Sequence, residues 1–142
     1  MKTKDFNRIL ALMLVLVMSA LVLTACGGTS DDPFDNATYK KDTTLGEGAK
    51  TVTVTVTVNE NKVVFTLKTD GATLADALLE TGLAEGDMGA YGLYIKKVNG
   101  ITADYDVDAS YWSLYVDGKA ASTGADGFTL AGGESFELIY TK

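Results

Sequence analysis

Tyr111, Trp112 and Tyr115 fall within five residues of one another, and their aromatic faces could do the chemistry of recognition. In an extended segment, alternation sends Tyr111, Ser113 and Tyr115 to one side and Trp112, Leu114 and Val116 to the other. The aliphatic set is the natural core face, so Trp112 reads first as structural and second as a contact residue. Tyr111 and Tyr115 are the better binding candidates. Tyrosine offers a flat face and a hydroxyl at low entropy cost, suited to carbohydrate, macrocycle or protein surfaces. Tyr91, Tyr94 and Tyr105 extend the set if the neighbouring strand and its loop lie alongside. The plainer alternative is ordinary cross-strand packing of half-buried sheet aromatics.

A second constellation is Asp104, Asp106 and Asp108, at alternate positions like the opening of a calcium loop. An EF-hand needs Gly at its sixth position and Glu at its twelfth, where this chain has Ala109 and Tyr115. An irregular calcium site from these carboxylates and a carbonyl is the remaining metal reading, and a solvated acidic loop is the simpler one.

Histidine is absent and there is one cysteine, Cys26. That removes Ser-His and Cys-His catalysis and the usual neutral-pH general base. Carboxylate-only chemistry, as in glycosidases, would need a larger cleft than so small a domain usually carries. The expectation is a protein that is not an enzyme. No phosphate-loop spacing is present either.

Cys26 has its own role. Lys2, Lys4 and Arg8 precede an uncharged aliphatic run from Ile9 to Val17, the architecture of a signal peptide. The run from Ile9 to Leu23 is shorter than the roughly 20 residues needed to cross a bilayer. Leu23-Thr24-Ala25-Cys26 resembles the bacterial lipobox, in which diacylglycerol is attached to the cysteine before cleavage. Residues 1–25 thus read as a lipoprotein signal peptide and Cys26 as the lipidation site. The protein is expected on the outer face of the cytoplasmic membrane, held there by acyl chains. With residues 1–25 go Lys2, Lys4, Arg8 and Asp5, so 9 basic and 18 acidic residues remain. An acidic surface excludes nucleic acid as a partner and leaves the anchor as the membrane contact.

The elements that position these residues follow from pattern. Residues 26–49 are rich in turn-forming types and read as a flexible tether, with the domain proper at 50–142. Thr51–Val58 alternates Thr and Val without a fault, and Lys62–Thr69 alternates again with Val63, Phe65 and Leu67 on one side. The Asn59-Glu60-Asn61 between them predicts a hairpin. Thr73 as N-cap with Asp76 at N3, and Gly82 after the last turn, bracket a short helix whose apolar face is Leu74, Ala77 and Leu78. Leu93–Val98 and Tyr111–Val116 run into Asn99-Gly100 and Asp117-Gly118, each a tight-turn dipeptide, and Phe136–Tyr140 closes the chain as a strand. The fold class is α+β: a small mixed sheet with one short packed helix.

Four motifs in order carry a family resemblance. They are Gly71 to Leu78, Tyr94 to Gly100, Tyr111 to Gly118 and Gly132 to Tyr140. Together they resemble the transcobalamin-like C-terminal domain family, found in many lipoproteins and surface proteins of Gram-positive bacteria. The resemblance covers about residues 50–142 and implies a β-grasp-like module that faces a ligand. In the vitamin B12 carriers of animals the equivalent domain closes over a corrinoid held by a larger helical domain. The resemblance therefore implies cobalamin or another corrinoid as a candidate ligand of the surface aromatics. The alternative is a structural or protein-interaction module of the cell surface, with no small-molecule ligand, that docks a surface partner through a polar Thr-rich sheet edge.

Overall fold

A computed structural model describes residues 31–142, and Asp32–Lys142 form one compact unit. The signal segment and Cys26 lie outside the described residues. The strands are β1 (Thr43–Leu45), β2 (Lys50–Val58), β3 (Asn61–Thr69), β4 (Ala84–Gly89), β5 (Gly92–Val98), β6 (Ile101–Thr102), β7 (Tyr111–Val116), β8 (Lys119–Ala120) and β9 (Ser135–Thr141). Helix α1 spans Leu74–Glu80, and α2 is a single turn, Tyr105–Asp108. Two 3-10 turns occupy Pro33–Asn36 and Ala125–Gly127. No helix among the described residues is long and apolar enough to cross a membrane.

The alternating Thr-Val run does what its period demands. β2 and β3 pair antiparallel from Lys50↔Thr69 to Val58↔Asn61, closing on the two-residue turn Asn59-Glu60, with Asn59 at a φ of 54°. Val52, Val54, Val56 and Val58 are buried, as are Val63, Phe65 and Leu67 across from them. Each such side chain, fully removed from water, contributes about 1.5–3 kcal/mol. The chain returns to β2 at its end. β9 lies parallel to β2, with Val54↔Phe136 and Val56↔Leu138, and β7 pairs antiparallel to β9 on its other side. The six-stranded sheet therefore runs β1-β3-β2-β9-β7-β8, which puts the Thr-rich strand β2 inside the sheet, paired on both sides, and not at the edge expected of it.

Helix α1 begins with the expected capping box. Thr73 Oγ1 accepts from Asp76 N at 3.2 Å, and Asp76 Oδ2 accepts from Thr73 N at 3.0 Å. Leu74, Ala77 and Leu78 are fully buried, and the helix packs on β3, β4 and the Ala125–Gly127 turn. Seven residues are too few to hold as an isolated helix, so this docking maintains it.

Three features depart from the expected single sheet with one helix. β4, β5 and β6 form a second, antiparallel sheet. β5 has β4 and β6 on its two edges, and it joins the rest through the buried side chains of Leu93, Val98 and nearby Ile101. The acidic stretch after Ala103 is the one-turn helix α2, ended by Ala109 at a φ of 62°.

The third departure concerns residues 32–49, expected as part of a flexible tether. β1 pairs parallel to β3, and Asp42 Oδ1 accepts from Val64 N at 2.9 Å. Ala37 is buried, and Tyr39 lies edge-on to Phe65 with ring centroids 5.9 Å apart. Turn-rich composition had concealed a segment that binds through backbone pairing and two hydrophobic contacts.

Candidate ligand-binding cleft

A cleft opens where β7 ends and β9 begins. β7 leaves the sheet at Val116 into Asp117-Gly118, which have φ values of 51° and 75°. β9 is approached through Gly132 and Gly133 at φ values of 108° and 91°, a bend that side chains other than glycine would strain. Glu134 fastens that bend: its carboxylate accepts from Ala131 N at 2.6 Å and from Gly132 N at 2.9 Å. Those backbone N–H groups, Ala131 foremost, hold the Glu134 carboxyl below its ordinary value. The third wall is residues 127–129, in a segment bound to the start of α1 by Leu74 N to Phe128 O (2.9 Å) and Leu130 N to Ala72 O (2.8 Å).

The cleft holds about 510 Å³. Val116, Phe128 and Phe136 supply its apolar lining, Asp117 and Glu134 its carboxylates, and Thr129 and Ser135 its hydroxyls. Phe128 meets Phe136 edge-to-face, with centroids 5.4 Å apart and planes at 66°. A smaller hollow of about 210 Å³ shares Asp117, Ser135 and Phe136 and adds Thr55, Tyr115 and Glu137. The two hollows meet at Asp117, Ser135 and Phe136, and together they line this depression with aromatic side chains and the carboxylates of Asp117, Glu134 and Glu137. Such a surface can take the flat apolar body of a ligand while accepting hydrogen bonds from amide or ammonium groups at its edge.

The family model described as Domain of unknown function (DUF4430) matches residues 71–142, which include α1, the second sheet and every wall of the cleft. A crystal structure from Ruminococcus gnavus ATCC 29149, of a protein described provisionally as metal-binding, is similar at 34% identity. It aligns with a TM-score of 0.61 over 66% of this chain and 98% of that one. The chain belongs to the DUF4430 family. The DUF4430 domain is also similar to haptocorrin in complex with Cbi, at 22% identity and a TM-score of 0.52. That match covers 66% of this chain and a quarter (25%) of haptocorrin, so it shows a shared transcobalamin-like fold. No curated protein shows significant sequence similarity to the chain.

Within the DUF4430 domain the aromatic candidates separate. Tyr115 lines the smaller hollow. Tyr91 sits in the turn between β4 and β5 and is 99% exposed. Its hairpin abuts the turn that supplies Gly127 to the cleft, through Leu93 N donating to Asp126 Oδ2 at 2.6 Å. Tyr111 is at the opposite end of β7, 40% exposed and edge-on to Tyr105 at 6.3 Å. Tyr94 is exposed on the strand that carries Lys96, whose Nζ lies 2.6 Å from Asp87 Oδ2. Trp112 is 8% exposed and packs edge-on to Tyr140 at 5.5 Å, on the core face that alternation assigned to it. Its Nε1 has no hydrogen-bond partner among the described residues. The five candidates thus do not form one patch, because β7 carries Tyr111 and Tyr115 to its two ends.

The three aspartates are not grouped at a metal position. Asp104 caps α2, with Oδ1 accepting from Asp106 N at 3.0 Å. Asp108 accepts from Ser110 N at 3.1 Å and from the Ser110 hydroxyl, and its other oxygen meets Lys142 Nζ at 3.0 Å. Among the described residues no group of three His, Cys, Asp or Glu side chains is placed to hold a metal. Asp104 is the N-cap of α2 and Asp108 holds the turn into Ser110, so local side-chain bonds to the backbone account for both.

Phe136 and Asp117 read in the sequence only as strand and turn residues, and nothing local marks Phe128 or Glu134 as cleft residues. The signal that could have found them is the pair of Gly-containing turns, Asp117-Gly118 and Gly132-Gly133, flanking strands that must neighbour each other.

Proposed function

We propose that this DUF4430 domain is a non-catalytic binding module of a lipid-anchored surface protein, and that its ligand seats in the cleft at the end of the sheet. Cobalamin or another corrinoid is the leading ligand. The observation that carries the reading is the cleft itself, lined by Phe128, Phe136 and carboxylates. The fold shared with a quarter of haptocorrin, seen there in complex with Cbi, supports the ligand class. Hairpin β2–β3, helix α1 and the parallel return of β9 beside β2 support a β-grasp-like description of the domain. An open cleft of this size grips one edge of so large a macrocycle, which leaves the opposite edge for a partner protein or a second domain. Cys26 holds the module to the membrane.

The test is titration of the compact unit with cobalamin and with Cbi, followed by absorbance and heat. Saturation in the micromolar range is expected; a flat titration with both ligands rejects the corrinoid. A second reading, docking of a surface protein, rests on Thr51, Thr53 and Thr55, which line one face of β2 half-buried, and on Thr57, whose Oγ1 donates to Glu137 Oε1 at 2.7 Å. Substituting Thr51 and Thr53, which line neither hollow, should leave corrinoid binding intact if the cleft is the site.

A further inference from the structure

The start of the compact unit lies at one end of β2 and the Gly133-Glu134 edge of the cleft at the other. Asp32 is fastened to the β2–β3 turn: Oδ1 accepts from Asn59 Nδ2 at 3.0 Å, and Oδ2 from Asn61 Nδ2 at 3.4 Å. Oδ1 also caps the Pro33–Asn36 turn through Phe34 N at 3.0 Å. At the other end of β2, Thr51 O accepts from Gly133 N at 2.7 Å and Thr53 N donates to Glu134 O at 2.9 Å, and both partners line the cleft. The eight steps from Thr51 to Asn59 span about 26 Å of extended chain. β7 and β9 agree, with Val116↔Phe136 at the cleft end and Tyr111↔Thr141 at the other.

The residues before Asp32 set a limit on reach. Five residues, Gly27 to Asp31, separate Cys26 from Asp32. Whatever path they take, six Cα steps cover at most about 21 Å. Standing the protein on the other end, with the Gly133 edge of the cleft against the bilayer, would require those residues to run back along β2 from Thr51 to Asn59, about 26 Å, before reaching Asp32. They are too short. If all of residues 26–49 were tether, the reach would be about 80 Å and no such limit would apply.

We propose that the anchored protein stands on its Asp32 end, with the β2–β3 turn beside the bilayer and the cleft open to the aqueous phase. Its ligand then arrives from solution and not from the lipid. This rests on reading Cys26 as the anchor and is independent of which ligand binds.

Lipidation of Cys26 leaves an introduced cysteine as the only free thiol, which makes a direct test available. Glu60→Cys marks the β2–β3 turn and Ala131→Cys the cleft end, both at exposed positions. The full lipidated protein, labelled at either thiol and reconstituted in vesicles with acceptor-labelled headgroups, should transfer energy several-fold more efficiently from position 60 than from position 131. Equal transfer, or the reverse order, overturns the proposal. Inserting twenty Gly/Ser residues between Gly28 and Thr29 should abolish the difference; if it persists, the leash does not set the orientation. A Cys26→Ser protein that remained on the vesicles with the same difference would also overturn it. Failure of corrinoid binding would leave these energy-transfer results unchanged, so the two proposals fail separately.

Discussion

Asn99 and Tyr39, sixty residues apart, exchange a reciprocal pair of hydrogen bonds: Tyr39 N donates to Asn99 Oδ1 and Asn99 Nδ2 donates to Tyr39 O, each at 2.8 Å. Asn99 also accepts from Thr38 N through its own carbonyl at 2.8 Å and donates its N–H to Leu83 O at 2.8 Å. It is 2% exposed at a φ of 50°. One residue therefore forms the tight turn after β5 and clasps the N-terminal segment to the second sheet.

Asn99→Gly keeps the positive φ without strain and removes only the clasp. Loss of two neutral hydrogen bonds around a buried site should cost about 1–3 kcal/mol. Urea denaturation measures that loss. Amide exchange should rise first at Thr38 and Tyr39, and uniform exchange across the domain would argue against a local clasp.

The two ends of β7 give a contrast in binding. Tyr115→Ala and Phe128→Ala remove surface from the depression and should weaken the ligand by about tenfold or more, equivalent to about 1.4 kcal/mol. Tyr111→Ala, at the far end of the strand, should leave affinity unchanged. Calorimetric titration of the three variants decides between the cleft and a tyrosine patch.

Trp112 should behave as a core residue with one unsatisfied group. Trp112→Ala leaves a cavity and is expected to cost about 3–5 kcal/mol. Trp112→Phe keeps the ring against Tyr140 and removes the partnerless N–H, so its cost should be well below that of the alanine change. Equal destabilisation by the two would mean that the indole N–H has a role.

Stability should be level through neutral pH, because the chain has no histidine. Glu134 and Asp108 titrate below their ordinary values of 4.5 and 3.8, Glu134 chiefly through Ala131 N and Asp108 chiefly through the Ser110 hydroxyl. A depressed carboxyl stabilises the fold above its unfolded value, and that contribution disappears as pH falls through the folded one. Lys96 is raised above 10.5 chiefly by its hydrogen bond to Asp87, so its contribution is complete below that value and is lost as pH rises through the folded one. Melting temperature against pH should therefore decline below about pH 4. Glu134→Gln should flatten part of the acid decline, and no change there would refute the assignment.

Calcium should leave the melting temperature unchanged, since Asp104 and Asp108 already accept local hydrogen bonds. A saturable rise with calcium would show that the loop rearranges to form a site.

Much of the fold was legible because its signals are local. The Thr-Val alternation of β2, the Thr73–Asp76 capping box, and the turns at Asn99-Gly100 and Asp117-Gly118 each act within a few residues. β4 was not legible: Ala-Glu-Gly-Asp-Met-Gly has no strand pattern, and it is extended because β5 pairs with it. β1 was missed for the same reason, since three residues become a strand only beside β3.

The sequence by itself determined the hydrophobic faces, the turns, the likeness to transcobalamin-like domains and the exclusion of histidine chemistry. All of these follow from residue type and period. Only the tertiary structure decided that Tyr111 and Tyr115 stand at opposite ends, that Phe128 and Phe136 meet, and that residues 32–49 are docked and not free. The Phe128–Phe136 contact depends on the parallel return of β9 to β2 across some eighty residues and the docking of residues 32–49 on β1 reaching β3, and no local preference of the chain encodes which distant strand a segment will find.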